Sequence, residues 1–442
     1  MNTTATRRYL VTPVARVGVG GIISVPGDKS ISHRALMLGA VSDGITRITG
    51  FLDSADCRAT LGALRALGVR IEHTDAHTVV VHGAGIAGLR AGSAALDMGN
   101  AGTAMRLFMG LLCAQDFPST LMGDASLMKR PMERVAAPLR LMGARIDTHE
   151  GRPPVTLHGG TPLTGIDYQL PMASAQVKSA ILLAALRATG ITRVTEPAPT
   201  RDHTERMLTQ LGAAVTRRGA MVELAGGQRL RGGPVAVPGD FSSAAFFIVA
   251  GCLAAAKGLT VRSVGVNPTR TGLLDALRLM GAHITVTPTA AAGAEPCADI
   301  TCRASELKGA VIPPALVPLA IDELPVLFIA AACASGETVI TGASELRVKE
   351  SDRLAVMAEG MQALGVRCEL MPDGMRIQGG TLRGGRVASH GDHRVAMAFS
   401  IASTRAEGPI EIDDVENVGT SFPGFVSVAR QAGLEVTEQP AP

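Results

Sequence analysis

The chain has 442 residues, enough for two or three domains with separate cores. Apolar residues make up 46%, which excludes a disordered chain, and aromatics only 3% with no Trp, which leaves little for stacking on nucleic-acid bases. A net charge of +3 excludes a surface-wide polyanion binder and confines any anion site to a local cluster.

Arg7-Arg8 is followed by no signal-type apolar core before Pro13, so no export signal is expected. Residues 9–25 have strand character. Val25-Pro26-Gly27-Asp28 then breaks a strand, and Asp28 or Ser30 caps a helix that continues through residues 35–40. Its start offers unpaired N–H groups and a partial positive charge beside Lys29 and Arg34, so an anion is the expected guest. Residues 44–48 read as a short strand. Residues 61–68 end a second helix on Gly68, and 69–72 alternate as a strand should.

This order recurs about six times. Helix openings fall at Asp28-Lys29-Ser30, Asn100-Ala101-Gly102-Thr103, Ser174-Ala175-Gln176, Asp240-Phe241-Ser242-Ser243, Asp322-Glu323 and His390-Gly391-Asp392-His393-Arg394. Leucine-rich helix ends close on Gly68, Gly143, Gly212, Gly281, Gly365 and Gly433. The repeat is strand–helix–strand–helix–strand–strand, roughly 70 residues long. The sixth copy is short, and the N-terminal segment is expected to complete it. Val-Pro-Gly-Asp occurs at 25–28 and again at 237–240, as hinge crossovers would. The expectation is an α/β protein with a continuous domain, 27–239, and a discontinuous one, 1–26 plus 240–442, each of three repeats. Three helix N-termini per domain are expected to face one cleft, electropositive without high net charge.

Three loops carry further charge. Met128-Lys129-Arg130-Pro131 places two cations before a Pro expected to start a helix. Thr200-Arg201-Asp202-His203-Thr204 sets Arg and His beside a Thr expected to cap one. Residues 347–353 hold three cations and two acids. Arg binds phosphate or carboxylate bidentately, whereas Lys acts as a point charge. Asp322 is either a helix cap or a base held among cations, and Glu350, between Lys349 and Arg353, could pass a proton.

The apolar run 244–256 is too short to cross a bilayer, so no membrane association is expected. Seven scattered cysteines without a CxxC pair read as free thiols in a reducing, cytoplasmic setting. No GxxxxGK[ST] loop occurs, and Gly18-Val19-Gly20-Gly21 precedes no predicted helix. His73, His77 and His82 are spaced too loosely for a metal, and Cys297 and Cys302 lack a second ligand pair. Neither a metal nor an organic cofactor is expected.

The stretches PGDKSISHRA, GNAGTAMR, GDASLMKRP, MASAQVKSA, TRDHTE, VPGDFSSAAF, NPTRTG, IDELP, LRVKESDR, GDHRVAM and TSFP, in this order, resemble the enolpyruvyl transferase family. They are most similar to its branch acting on shikimate 3-phosphate, in the bacterial form called class II. The resemblance implies two inverse α/β barrel domains of three βαβαββ units each. It implies transfer of the enolpyruvyl group of phosphoenolpyruvate to the 5-hydroxyl of shikimate 3-phosphate, with release of phosphate, on the route to aromatic amino acids.

Carried over by position, Lys29, Ser30, Arg34, Ser174, Ala175, Gln176, Arg201, Asp322 and Lys349 would hold shikimate 3-phosphate. Lys29, Gly102, Arg130, Gln176, Arg353, His393 and Arg394 would hold phosphoenolpyruvate. Asp322, Glu350 and Lys29 would move protons. Nucleic acid is not an expected partner, and a monomer is expected. Two positions stand out. Many relatives carry a Lys just before the Thr/Ser-Phe-Pro near the C-terminus, whereas Gly419-Thr420-Ser421-Phe422-Pro423 has none. Some class II members have Ala at the position of Gly102 and resist glyphosate, so Gly102 implies a glyphosate-sensitive site. The sister branch loading UDP-N-acetylglucosamine often uses a loop Cys, and residues 123–131 have none. An RNA-end-processing or RNA-binding relative of the repeat would need a more basic, more aromatic chain.

Overall fold

The computed structural model describes residues 7–14 and 18–440. Residues 15–17 of the N-terminal segment and 441–442 of the tail lie outside these. The chain divides into two compact units. The continuous unit is Gly27–Val237 with Ala291–Glu295, and the split unit is Met1–Pro26, Pro238–Ala290 and Pro296–Pro442. The handover comes slightly before the expected residue 240. Val237 N still bonds Thr49 O at 2.8 Å, while Gly239 N bonds Ser263 O at 2.9 Å, so the strand changes allegiance between them. No sequence signal marked the 291–295 excursion.

The continuous unit builds one four-stranded sheet per repeat. Strand Asp43–Thr49 pairs parallel with Pro234–Ala236 and antiparallel with Thr78–Ala84, which pairs antiparallel with Arg70–Asp75. The second repeat orders Leu96–Asp97, Ser119–Met122, Arg152–Leu157 and Ile146–His149 in the same way, and the third Asp167–Gln169, Ile191–Thr195, Met221–Ala225 and Val215–Arg218.

The split unit follows the plan with variations. Gly21–Ser24 pairs parallel with Leu259–Gly265, in the first sheet of that unit. Arg7–Thr12 instead lies between Ile410–Asp413 and Glu435–Pro440, antiparallel to both, where the last repeat lacks a strand of its own. The N-terminal segment is thus shared between two sheets. In the middle sheet the leading strand is reduced, among the described residues, to isolated bridges at Lys308↔Ser335 and Val311↔Val339. Pro313 and Pro314 follow at once and cannot donate to a ladder.

The first helix of each repeat is the buried one. In the continuous unit these are Lys29–Ala40, Gly102–Leu112 and Ala175–Ala185, and in the split unit Phe241–Ala254, Leu324–Ala332 and His393–Ala402. All residues of Phe241–Ala254 are buried, which is why its sequence shows no polar face. Helices Gly102–Leu112 and Ala175–Ala185 touch so closely that a Cβ on Gly110 would sit 2.1 Å from Ala180 O. The second helices are amphipathic and end as expected. The six glycines after them, Gly68, Gly143, Gly212, Gly281, Gly365 and Gly433, all have φ between +83° and +104°. This is the left-handed stop that a side chain disfavours. Helices inside and sheets outside, in two three-repeat units, make the fold the two-domain inverse α/β type.

Candidate active site

In the continuous unit the polar residues gather where the buried helices begin. Asp28 caps Lys29–Ala40, its Oδ1 accepting from Ile31 N at 2.9 Å. Lys29 Nζ reaches Asp56 Oδ2 at 3.0 Å, and Asp56 opens the neighbouring helix. Arg34 is 3% exposed. Its Nε donates to Thr204 Oγ1 (2.7 Å), Nη1 to Ser30 O (3.0 Å) and Nη2 to Ser179 Oγ (2.8 Å). Burial lowers the Arg34 guanidinium to about 10, with the nearby Arg201 charge adding to this and Glu205 opposing it. His33 is pushed down to about 3 by burial and by the charges of Lys29 and Arg34, so it is neutral at neutral pH.

A second group joins two helix starts. Ser174 caps Ala175–Ala185. Gln176 accepts from Arg106 Nη1 at 2.8 Å and donates to Thr103 Oγ1 at 3.0 Å. Arg106 also donates to Pro131 O at 3.3 Å. Arg130, buried, donates to Asn100 Oδ1 at 2.6 Å. Gly102 lies between the two guanidiniums: a Cβ there would meet Arg130 Nη1 at 2.9 Å and Arg106 Nη1 at 3.1 Å. Gly102, Arg130 and Gln176 are therefore brought together, with Ser174 and Ala175 next to Gln176. Lys129, the other cation of its loop, is exposed.

In the split unit one network gathers Asp322, Lys349, Glu350, Arg353 and Arg394. Arg353, 1% exposed, spans Asp392 (Nε–Oδ2, 2.8 Å), Asp322 (3.3 Å) and Glu350 (2.6 Å). Burial lowers the Arg353 pKa, but the carboxylates of Asp392, Glu350 and Asp322 outweigh it and hold the guanidinium above its ordinary value. Lys349 Nζ lies 3.7 Å from Asp322 and 2.9 Å from Glu345. Arg394 Nη2 lies 3.8 Å from Asp322 Oδ2, and its Nη1 donates to the Asp322 carbonyl at 2.9 Å. His393 is the buried first residue of the Arg394 helix. Arg347, by contrast, is tied to Asp352 and to the carbonyls of Pro372 and Met371.

Several local expectations change. Asp322 is no cap: Glu323 precedes the helix, with no side-chain cap bond, and the Asp322 carboxylate faces Arg353, Lys349 and Arg394. Pro131 starts no helix, since the next one begins at Glu133. Neither Thr of 200–204 caps a helix: Asp202 precedes His203–Gln210, Thr204 lies inside it, and Thr200 bonds Glu196 instead. The turn Val418–Ser421 is closed by Thr420 Oγ1 on Asn417 O (2.6 Å), and Asn417 Nδ2 donates to Gly391 O (2.7 Å).

Asp56, Arg106 and Asp392 were missed by the sequence reading. Arg106 carried a signal, because it is the lone charge in the apolar helix GTAMRLFMGLL. Asp56 and Asp392 looked like ordinary helix-start acids.

A fold of paired three-repeat units whose buried helices begin among Arg and Lys is that of an enolpyruvyl transferase. Comparison with known proteins agrees. An enolpyruvyl transferase, NikO from Streptomyces tendae, superposes with a TM-score of 0.80 over 99% of this chain and 100% of its own, at 18% identity, a likeness of fold. EPSP synthase from Acinetobacter baumannii matches with a TM-score of 0.88 and 52% identity, over 98% of this chain and all of its own. The 3-phosphoshikimate 1-carboxyvinyltransferase of Alkalilimnicola ehrlichii is 60% identical over 419 residues, 94% of each chain. The family model for EPSP synthase (3-phosphoshikimate 1-carboxyvinyltransferase) matches residues 14–428. The chain belongs to the EPSP synthase family, and it is a transferase.

Proposed function

We propose that this chain transfers the enolpyruvyl group of phosphoenolpyruvate to the 5-hydroxyl of shikimate 3-phosphate and releases phosphate, in the cytoplasm and as a monomer. The observation that carries the reading is Asp322, an acid set among Lys349, Arg353 and Arg394 beside Glu350. A carboxylate so placed can take a hydroxyl proton while the cations hold the anionic groups around it.

In this reading Lys29, Ser30, Arg34, Ser174, Ala175, Gln176, Arg201 and Lys349 hold shikimate 3-phosphate. Lys29, Gly102, Arg130, Gln176, Arg353, His393 and Arg394 hold phosphoenolpyruvate, and glyphosate competes with it. Asp322 takes the 5-hydroxyl proton as the oxygen adds to C2 of phosphoenolpyruvate. Glu350, with Lys29, delivers a proton to the methylene carbon. Elimination reverses that proton transfer as phosphate leaves C2. In this reading shikimate 3-phosphate binds first, and phosphoenolpyruvate is then held beside its 5-hydroxyl in attack geometry. No described helix is long and apolar enough to cross a membrane.

The decisive experiment measures phosphate release with both substrates and with each alone. Release only with both supports the reading. Release from phosphoenolpyruvate with UDP-N-acetylglucosamine in place of shikimate 3-phosphate, or none at all, refutes it.

A further inference from the structure

Behind the Arg34 side of the continuous unit lies a charged cluster with no part in the chemistry above. Lys178 Nζ is fully buried between Glu196 Oε2 at 2.9 Å and Glu205 Oε1 at 2.7 Å. A buried ammonium is tolerated only when paired, and a pair of buried acids only when neutralised. Here both acids meet Lys178, Glu196 Oε2 also lies 3.7 Å from Arg217 Nη2, and the Glu205 charge reaches the Arg34 guanidinium.

Each member sits on a segment that carries proposed substrate contacts. Lys178 is one turn into the helix opened by Ser174-Ala175-Gln176, and its N–H bonds Ser174 O at 3.1 Å. Glu196 accepts from Thr200, the residue before Arg201. Glu205 is next to Thr204, whose hydroxyl receives Arg34 Nε and donates to Ser179 Oγ at 2.7 Å, while Ser179 holds Arg34 Nη2. A loop, a helix start and a long guanidinium are thus tied to one buried cluster. An apolar core would hold these segments with less directional constraint.

We infer that Lys178, with Glu196 and Glu205, is a positioning residue for shikimate 3-phosphate: it fixes Ser174–Gln176, Arg201 and Arg34 in mutual register before the substrate arrives. The inference rests on the proposed function, since it needs that substrate on these residues.

Removing Lys178 alone strands two buried acids, so the test uses K178M/E196Q, which removes one charge of each sign and leaves Glu205 only the longer-range charge of Arg34. The milder Thr200→Val cuts only the tie between the cluster and the Arg201 loop. Shikimate 3-phosphate affinity is measured by calorimetry on the full chain, and both KM values by phosphate release. Expected for K178M/E196Q is a rise in Kd and KM for shikimate 3-phosphate of about tenfold or more. The KM for phosphoenolpyruvate, which shares only Gln176 among the positioned residues, should rise clearly less, and Thr200→Val should shift the shikimate 3-phosphate constants less than K178M/E196Q does. Unchanged shikimate 3-phosphate affinity in Thr200→Val, or equal rises in both KM values in either variant, overturns the inference. Wild-type chain that fails to bind shikimate 3-phosphate removes the functional reading itself, and the inference with it.

Discussion

Gly102 shows how far one hydrogen atom reaches. A methyl group there would lie 2.9 Å from Arg130 Nη1 and 3.1 Å from Arg106 Nη1, so Gly102→Ala must push a guanidinium aside. Overpacking of this kind costs about 1–3 kcal/mol. We expect the KM for phosphoenolpyruvate to rise about tenfold and glyphosate inhibition to weaken more, read from initial rates at limiting phosphoenolpyruvate. Undiminished wild-type activity in millimolar-scale glyphosate would contradict the open site assigned to Gly102. For Asp322→Asn, a fall in kcat of about 10²–10⁴ is expected if the carboxylate takes the hydroxyl proton; near-normal turnover would assign that step elsewhere.

His33 gives a pH signature. Its folded value is about 3 against 6.5 for a free imidazole, so the unfolded chain holds a proton that the folded chain refuses. The stability contributed by neutral His33 is complete above pH 6.5 and is lost as pH falls toward about 3. Melting curves between about pH 7 and pH 5 should show unfolding taking up to about one proton less in His33→Asn than in wild type. Equal slopes would mean that His33 is not buried and neutral.

Among elements, helix ends were the most legible feature. Polar openings and Gly closures are local devices, and each works through its own backbone. At Gly212, φ is +96° and a Cβ would touch nothing within 4 Å, so Gly212→Ala carries conformational strain without a clash. We expect a loss of about 1–2 kcal/mol in chemical denaturation, with both KM values unchanged. No loss would mean that the stop is not left-handed. Where a local signal had two physical outcomes, only packing decided between them. Thr200 resembled a cap and bonds Glu196; Asp322 resembled a cap and faces three cations. Lys178, a lone Lys in an apolar helix, was visible in the sequence but without meaning, because Glu196 and Glu205 are 18 and 27 residues away.

For the molecule as a whole, the proposed binding order makes a prediction of its own. Calorimetry should show shikimate 3-phosphate binding by itself, and phosphoenolpyruvate binding about tenfold or more weaker without it than with it. Equal phosphoenolpyruvate affinity in its presence and absence would remove the binding order.

The amino-acid order alone determined the six-fold repeat, the α/β class and the residue types at each helix start, because periodicity, capping and glycine stops act over a few neighbouring residues; the family was legible only through the resemblance of its motif stretches. Only the folded chain decided which of those charges face one another. Arg353 reaching Asp392 across 39 residues, and Arg34 reaching Thr204 across 170, depend on helices packed side by side from separate repeats, a proximity no local pattern encodes. The same holds for the first strand, Arg7–Thr12, which finds its partners at Ile410–Asp413 and Glu435–Pro440 because the last repeat has an open hydrogen-bonding edge to fill.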